Sequence, residues 1–580
     1  MMESNDPPTT ATYTQFACIG AGFSGIGLGA TLKLKHNITD IRIFEREAEL
    51  GGTWHLNQYP GAACDIPSSL YTFSFAPCPQ WTSTSLPTAP QIKSYLVSVA
   101  EKYSLLPGRI TFCSSVQKCE WLPSPISRWR LTVLSHNAIS HHECQFLFSG
   151  TGILFHPKTS SFFSLPGAGS FSGTVMHSAR WDHSVDLGNK KVMLFGNGCS
   201  ASQIVPALLG RSNNAEVCSS GRDYNVDKIT QFVHSRHYVI PSLAELFPLA
   251  LLERLPRGLQ RLLCILIGEM DFIAMRENKV GRWIRRKKTE EVKRYMRETV
   301  PERYSDLVVP EGVEFGYKRR VYDPGYLRAL HDERVELVGE RVVEVVPEGV
   351  KTEGGRLVEG DVIVLATGFE TNRFLEGVEV VGRGGERLGG HWGEDVSDGD
   401  SLDGKEGVKG VGAYETVAVG GFPNFFMLAG PNSVTGHTSV IIAIENAITL
   451  AMNVIKPILS KGSKVREVEV TPEAERQWVS NVQDELNNKT IWGGGGNMTA
   501  AESWYVKLDE KTGKRWNAML YPGYQLGAWY RARKPRKEDW GTMDKYQHLH
   551  SNFLFYINIY FGMPCREKDT LQLRKAGQPF

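Results

Sequence analysis

The sequence has no cysteine pair at CxxC spacing, no apolar run approaching the roughly 20 residues that span a bilayer, and no strong excess of charge. Each absence removes a class of function. Ten scattered cysteines argue against a structural zinc site and against a dithiol–disulfide reductase, and they fit a reducing compartment. No metal site is expected. A net charge of +2 over 580 residues creates no field to hold nucleic acid or an anionic membrane. The stretch Met1 to Gln15 is polar and rich in Pro and Thr, without the basic and apolar regions of a secretory signal. The expectation is a cytoplasmic protein with no nucleic-acid partner and no stable membrane insertion. Its oligomeric state is left open.

Glycine is abundant, and it is concentrated where it carries information. Phe16-Ala-Cys-Ile19 is a short apolar run that predicts a buried strand, and Gly20-x-Gly22-x-x-Gly25 follows at once. A helical stretch to Lys35 and a second strand, Ile41–Phe44, complete a βαβ unit ending at Glu45. In such a unit Gly20 permits the tight turn and Gly22 lets backbone N–H groups approach a pyrophosphate. Gly25 allows close helix–strand packing, and Glu45 stands where a carboxylate binds ribose hydroxyls. The pattern recurs: Lys191–Phe195 is a buried strand, followed by Gly196-x-Gly198-x-x-Ala201 and a helix from Ser202. Ser200 lies inside this second loop. Two such loops predict two dinucleotides on one chain. Length alone predicts roughly two to four domains.

Between the loops lie Gly51-Gly-Thr-Trp-His-Leu-Asn-Gln-Tyr-Pro-Gly-Ala-Ala-Cys-Asp65, too rich in Gly and Pro for a regular element, and Phe171-x-Gly-x-x-x-His177-x-x-x-Trp181-Asp182. Further on come Phe315-Gly-Tyr-Lys-Arg-Arg320 and the strand Asp361–Leu365 ending in Ala366-Thr-Gly368. Together these segments resemble the Baeyer–Villiger monooxygenases, the ketone-oxygenating branch of the class B flavin monooxygenases, over roughly residues 15–535 and in the family's order. The resemblance implies that FAD occupies the first loop, with Gly52, Thr53, Trp54, Asp65, Tyr71, Thr367 and Gly368 around it, and that NADPH occupies the second. It implies that Lys318 lies near the NADP phosphate and that Arg319 is the catalytic cation beside the flavin, with Asp65 holding it. By the residues alone, Lys318-Arg-Arg320 also fits an exposed basic cluster. His177 is expected to couple domain positions rather than to do chemistry. Where the family has an arginine for the NADP 2′-phosphate this chain has His234, with an insertion around Asn213 to Val226 before it. Arg236, His234 or Arg222 could supply the contact, and Arg236 is carried as the candidate.

The expected fold is α/β, with two Rossmann-like dinucleotide-binding domains, the NADP domain inserted in the FAD domain, and a helical subdomain. The expected bounds are 12–170 for the first part of the FAD domain, 171–350 for the NADP domain with a helical insertion about 242–305, and 351–535 for the second part. A tail, 536–580, is unassigned. Residues 171–182 are expected to be a strap between domains, and residues 383–412 a mobile Gly/Asp-rich insertion. Trp492 and Ser503-Trp-Tyr505 are expected around the substrate and nicotinamide. The resemblance implies oxidation of a small-molecule ketone to an ester or lactone with O2 through a C4a-peroxyflavin, in the manner of tailoring enzymes of secondary metabolism. The alternatives are N- or S-oxygenation, or a dinucleotide-binding redox module without turnover.

Overall fold

The computed structural model describes residues 11–82, 85–212, 224–241, 253–371, 373–393, 410–493, 505, 507–508 and 515–541. Its first six strands are β1 (Thr12–Ile19), β2 (Ile41–Phe44), β3 (Ile110–Thr111), β4 (Ser114–Leu122), β5 (Arg128–Ser135) and β6 (Ala138–Ser149). The run Phe16–Ile19 is buried because β1 lies between parallel neighbours β2 and β6 and is covered on both faces. The helix Phe23–His36 opens directly after the first glycine loop, as the βαβ pattern predicts. The Gly51–Asp65 stretch is less irregular than its composition suggests, since Thr53–Leu56 makes one helical turn.

A second sheet follows, from β7 (Thr174–His177), β8 (Lys191–Phe195), β9 (Lys228–Phe232), β12 (Val335–Val338) and β16 (Val362–Leu365). Its order is β12-β9-β8-β16-β7, with every pairing parallel. Between these strands the chain adds a small pair, β10 (Val239–Ile240) and β11 (Val321–Tyr322), and an antiparallel trio, β13 (Val342–Val346), β14 (Gly349–Thr352) and β15 (Leu357–Glu359). The chain then returns through β17 (Glu379–Val381) and β18 (Phe425–Met427), which join the first sheet at β4 and β6. The first sheet thus runs β17-β4-β5-β6-β1-β2-β3, with β18 also on β6. The insertion of one domain in the other is observed.

Four sequence expectations need correction. The second domain does not end at 350, because β16 is the partner of β8 and β7 and belongs to the second sheet. Residues 171–182, expected as a strap between the domains, are partly regular, because Thr174–His177 is the edge strand of that sheet, with His177 beside Leu365. The insertion 383–412 is ordered at its start: Leu388–His391 forms a helical turn, and Leu388 and Trp392 enter the first domain's core. Residues 394–409 lie outside the described residues. The unassigned tail also begins later than 536, since Trp540 is buried in the same domain and bridges Val470. Its apolar stretch, 552–561, lies outside the described residues.

The helical insertion is carried by helices Arg257–Phe272 and Lys279–Thr299; its start, 242–252, is outside the described residues. The first helix lies on the FAD domain. Arg261 donates to the carbonyls of Ser69 and Thr72 at 2.8 and 2.9 Å and pairs with Glu445 at 3.2 Å. Glu445 also accepts from the Ser74 N–H and hydroxyl at 2.7 and 2.8 Å. It belongs to the helix Val440–Leu459, which is long and apolar enough to cross a membrane by length and composition but is mostly buried against the helix Phe23–His36.

Replacing Glu445 with Ala strands the buried Arg261 charge and should cost about 3–5 kcal/mol. Thermal unfolding monitored by circular dichroism would show this as a drop of several degrees in the apparent midpoint; an unchanged midpoint would mean that the pair contributes nothing net. Acid sensitivity has a separate source. His142 is buried between the Thr12 and Thr14 hydroxyls at 2.8 and 2.9 Å, and burial, aided by Arg42, lowers its pKa from 6.5 to about 4. Between those values the unfolded chain takes up a proton that the folded chain refuses. Stability is therefore lost as pH falls from 6.5 toward 4, by roughly 3 kcal/mol from this residue at the lower end. His142→Gln should flatten that part of the melting-temperature profile; an unchanged profile would rule out this origin.

Candidate active site

The two glycine loops are built alike. Gly20, at φ +98°, comes so close to strand β6's exit that a Cβ there would lie 2.6 Å from the Gly150 carbonyl. Gly196, at φ +113°, stands in the same relation to the Ala366 carbonyl, at 2.5 Å. In each domain the turn after the first strand therefore packs on the turn after a neighbouring parallel strand, Ser149-Gly-Thr-Gly152 or Ala366-Thr-Gly368. Gly25 and Ala201 lie behind these turns and do not line the cavity; Gly25 lets its helix sit on Gly20, and Ala201 is fully buried.

One cavity of about 1430 Å³ connects both loops. It exceeds the roughly 300–1,000 Å³ typical of a site for one small ligand. Its wall includes Gly20, Gly22, Glu45, Gly52, Thr53, Trp54, Asp65 and Tyr71 from the first domain. Gly196, Gly198, Ser200, Lys318, Arg319, Thr367 and Gly368 line the opposite side. The helices Phe23–His36 and Cys199–Leu208 both begin at this cavity with no side-chain cap and no acidic residue in the first turn. Free N–H groups and the positive end of a helix suit a pyrophosphate at each loop. A Cβ on Gly198 would meet nothing within 4 Å, so the space before the second helix is open. Both ends thus fit a dinucleotide. Glu45 is buried at the wall and accepts from the Ala21 and Glu47 N–H groups at 2.7 and 3.0 Å; burial nevertheless raises its pKa.

Asp65 and Arg319, 254 residues apart in the chain, meet at the junction of the domains, with Arg319 Nη2 2.5 Å from Asp65 Oδ2. Arg319 comes from the segment before β11, and Asp65 from the loop after the Thr53–Leu56 turn. The Arg319 side chain is 39% exposed, and it lines the cavity. The Asp65 charge holds its pKa well above the ordinary value, against the effect of burial. Tyr505 and Cys199 stand close by. Burial pushes the Tyr505 hydroxyl up to about 12 and raises the Cys199 thiol, with Arg319 pulling both the other way. Trp492 lines the same space and donates to the Gly316 carbonyl at 3.2 Å. Ser503 and Trp504 lie outside the described residues. Trp54 donates to the Tyr71 hydroxyl at 3.1 Å, which fixes two of the first-domain wall residues to each other.

Other contacts hold the junction closed. Tyr59 donates to Gln203 Oε1 at 2.8 Å, and Gln203 Nε2 donates to the Ala63 carbonyl at 3.0 Å, tying the Tyr59–Asp65 loop to the second nucleotide helix. Arg320 pairs with Asp271 Oδ2 at 2.5 Å and donates to the Gly436 carbonyl at 3.0 Å. Burial would raise the Asp271 pKa, but Arg320 and Lys288 outweigh it and hold the carboxyl well below its usual range. Sequence reasoning missed Tyr59, Gln203 and Asp271, because each partner is distant in sequence and no local pattern marks it.

Not every predicted residue reaches the cavity. Arg236 does not line it; His234, Ser235 and His237 do. These residues lie in the turn between β9 and β10, which brings Val233 to Ser235 and His237 to the wall and leaves Arg236 off it. Arg222 lies outside the described residues. His177 is buried behind the Ala366–Gly368 turn, with its ring 5.9 Å from Phe369 and its Nδ1 accepting from the Ala179 N–H at 3.0 Å. Burial, only partly offset by the Gly368 backbone, lowers its pKa to about 4, so the ring is neutral.

Comparison with known proteins bears on this arrangement. Residues 18–83 match the NAD(P)-binding Rossmann-like domain family. A Baeyer-Villiger monooxygenase of Streptomyces coelicolor is 31% identical over 519 residues, 88% of this chain and 89% of that protein. One of Pseudomonas aeruginosa is 30% identical over 90% of each chain. The FAD-binding monooxygenase tazF of Aspergillus terreus is 29% identical over 90% of this chain and 88% of its own. Among solved structures, an oxidized steroid monooxygenase bound to NADP superposes with a TM-score of 0.70 at 23% identity, covering 91% of this chain and 99% of that one. OTEMO in complex with FAD and NADP gives 0.70 at 20% identity, over 92% and 99%. Extent and identity together decide the family: this chain belongs to the Baeyer–Villiger monooxygenases.

Proposed function

We propose that the cavity between the two glycine loops is the active site of an FAD- and NADPH-dependent Baeyer–Villiger monooxygenase, with Arg319 as its catalytic cation and Asp65 as the residue that holds it. The observation carrying this reading is the Arg319–Asp65 pair, set on the wall of the cavity that both loops share. FAD would lie along Gly20, Gly22, Glu45, Gly52, Thr53, Trp54 and Tyr71, and NADPH along Gly196, Gly198, Ser200 and Lys318. Bound FAD, once reduced by NADPH, supplies an oxygen nucleophile derived from O2. One oxygen atom enters the ketone to give an ester or lactone; the other leaves as water with the two electrons of NADPH and a solvent proton.

The chain's own part is electrostatic. An oxygen nucleophile attacks a carbonyl far better as its anion, and negative charge then gathers on the carbonyl oxygen. Arg319 offers a fixed positive charge for both, and Asp65 keeps it protonated and oriented. Trp492 and Tyr505 give an apolar wall suited to a bulky carbonyl compound, such as a substrate of secondary metabolism. A cytoplasmic location goes with this reading, and the eight described cysteines are all unpaired.

The rival is oxidation of a nitrogen or sulfur centre, which uses a protonated oxidant and needs no such cation. Arg319→Ala should lower ketone oxygenation at least about 100-fold while leaving the chain yellow and NADPH consumption partly intact. Product analysis beside NADPH and O2 consumption measures both. Retained oxidation of an amine or sulfide at the wild-type rate would favour the rival instead.

A further inference from the structure

The residue that reads the extra phosphate of NADPH is open once Arg236 is found off the cavity wall. In a Rossmann domain the ribose beyond the glycine loop lies over the end of the next strand, where a nearby cation accommodates the 2′-phosphate. Here that strand is β9. Its C-terminal end has a second neighbour, because β12 runs parallel beside it in the register Val338↔Phe232, and the Val233 N–H donates to the Val338 carbonyl at 2.9 Å. The turns leaving the two strands therefore emerge side by side. Both line the cavity, through Val233, His234 and Ser235 on one and Gly339, Glu340, Arg341 and Val342 on the other.

The charges at this edge can be taken in turn. Lys318 is buried; burial of His237, aided by the Lys318 charge, lowers that ring's pKa to about 4, so His237 brings no charge. His237 Nε2 is also 3.2 Å from the Ser235 hydroxyl. Glu340 is directed toward Gly354, with Oε2 2.7 Å from where a Cβ there would lie. Glu336, farther back on β12, is neutralised by Lys228 and Arg356. Arg341 is exposed, and its guanidinium has no hydrogen-bond or ion-pair partner among the described residues; its backbone alone is engaged, the N–H donating to Glu353 Oε1 at 3.4 Å and the carbonyl accepting from the Glu353 N–H at 2.8 Å. A guanidinium offers five donors in a planar fork that matches two phosphate oxygens, whereas an imidazole offers one or two.

We propose that Arg341, on the turn after β12, reads the 2′-phosphate of NADPH and gives this chain its preference for NADPH over NADH. The phosphate-reading cation then comes from the strand beside the one that the sequence pattern points to. The assignment rests on the reading of the second glycine loop as the NADPH site.

The test is calorimetric binding of NADP+ and of NAD+ to the FAD-loaded protein, in the wild type and in Arg341→Ala and His234→Ala. Arg341→Ala should weaken NADP+ binding about 10- to 100-fold and change NAD+ binding less than about 2-fold. Arg341→Lys should recover part of the loss. The assignment is overturned if Arg341→Ala leaves NADP+ affinity intact, if it weakens both nucleotides equally, or if His234→Ala alone removes the preference. A wild type that binds the two nucleotides equally well also overturns it. A wild type that binds FAD but neither nicotinamide nucleotide would instead refute the reading of the second loop on which it rests.

Discussion

A positive charge must be kept at the wall of a cavity where two domains meet, and neither domain can keep it alone. Arg319 comes from the second domain, and its counter-charge, Asp65, from the first. This requirement explains much of the surrounding structure. The pair spans the two domains, so its attraction itself helps to hold the junction together. The Tyr59–Gln203–Ala63 bonds hold the Asp65 loop on the second nucleotide helix, and the Asp271–Arg320–Gly436 bonds hold the segment next to Arg319 against the helical insertion and the flavin-side loop. The cation is thus fixed from three directions by the chain's own residues.

The likeness of the two halves has a physical basis as well. Gly20 against Gly150 and Gly196 against Ala366 are the same contact in two sheets. In each, the backbone of a turn is pressed on the exit of a parallel strand, and the helix that follows is left uncapped toward the cavity. The contact admits no side chain, which is why the glycines stand where they do. The nucleotide sites are defined more by what is absent there, a Cβ and an acidic first turn, than by side chains reaching out.

The parts of this arrangement that depend on local pattern were legible in the sequence. The two βαβ units, the insertion of one domain in the other, and the segments carrying Asp65 and Arg319 all follow from spacing or from resemblance. The parts set by pairing between distant strands were not. Apolar Val362–Leu365 could have joined either sheet, and only its parallel register with β8 and β7 assigns it to the second. Thr174–His177 has the length of a linker and becomes a strand because β16 offers it an edge. The insertion at 383–393 looks irregular by composition, yet Leu388 and Trp392 find a core to fill. Arg236 seemed the natural phosphate ligand because it lies nearest to the expected position in the chain. Adjacency across the sheet brings Arg341 to the cavity wall instead.

The central claim is that Asp65 and Arg319 act as one unit. A double-mutant cycle tests it directly, using the rate of ketone oxygenation by the FAD-loaded protein for wild type, Asp65→Ala, Arg319→Ala and the double variant. If the pair is one device, either single change removes most of the rate, and the double variant is slower than Arg319→Ala by less than about tenfold. If the two losses multiply, the residues act independently and the account of the site is wrong.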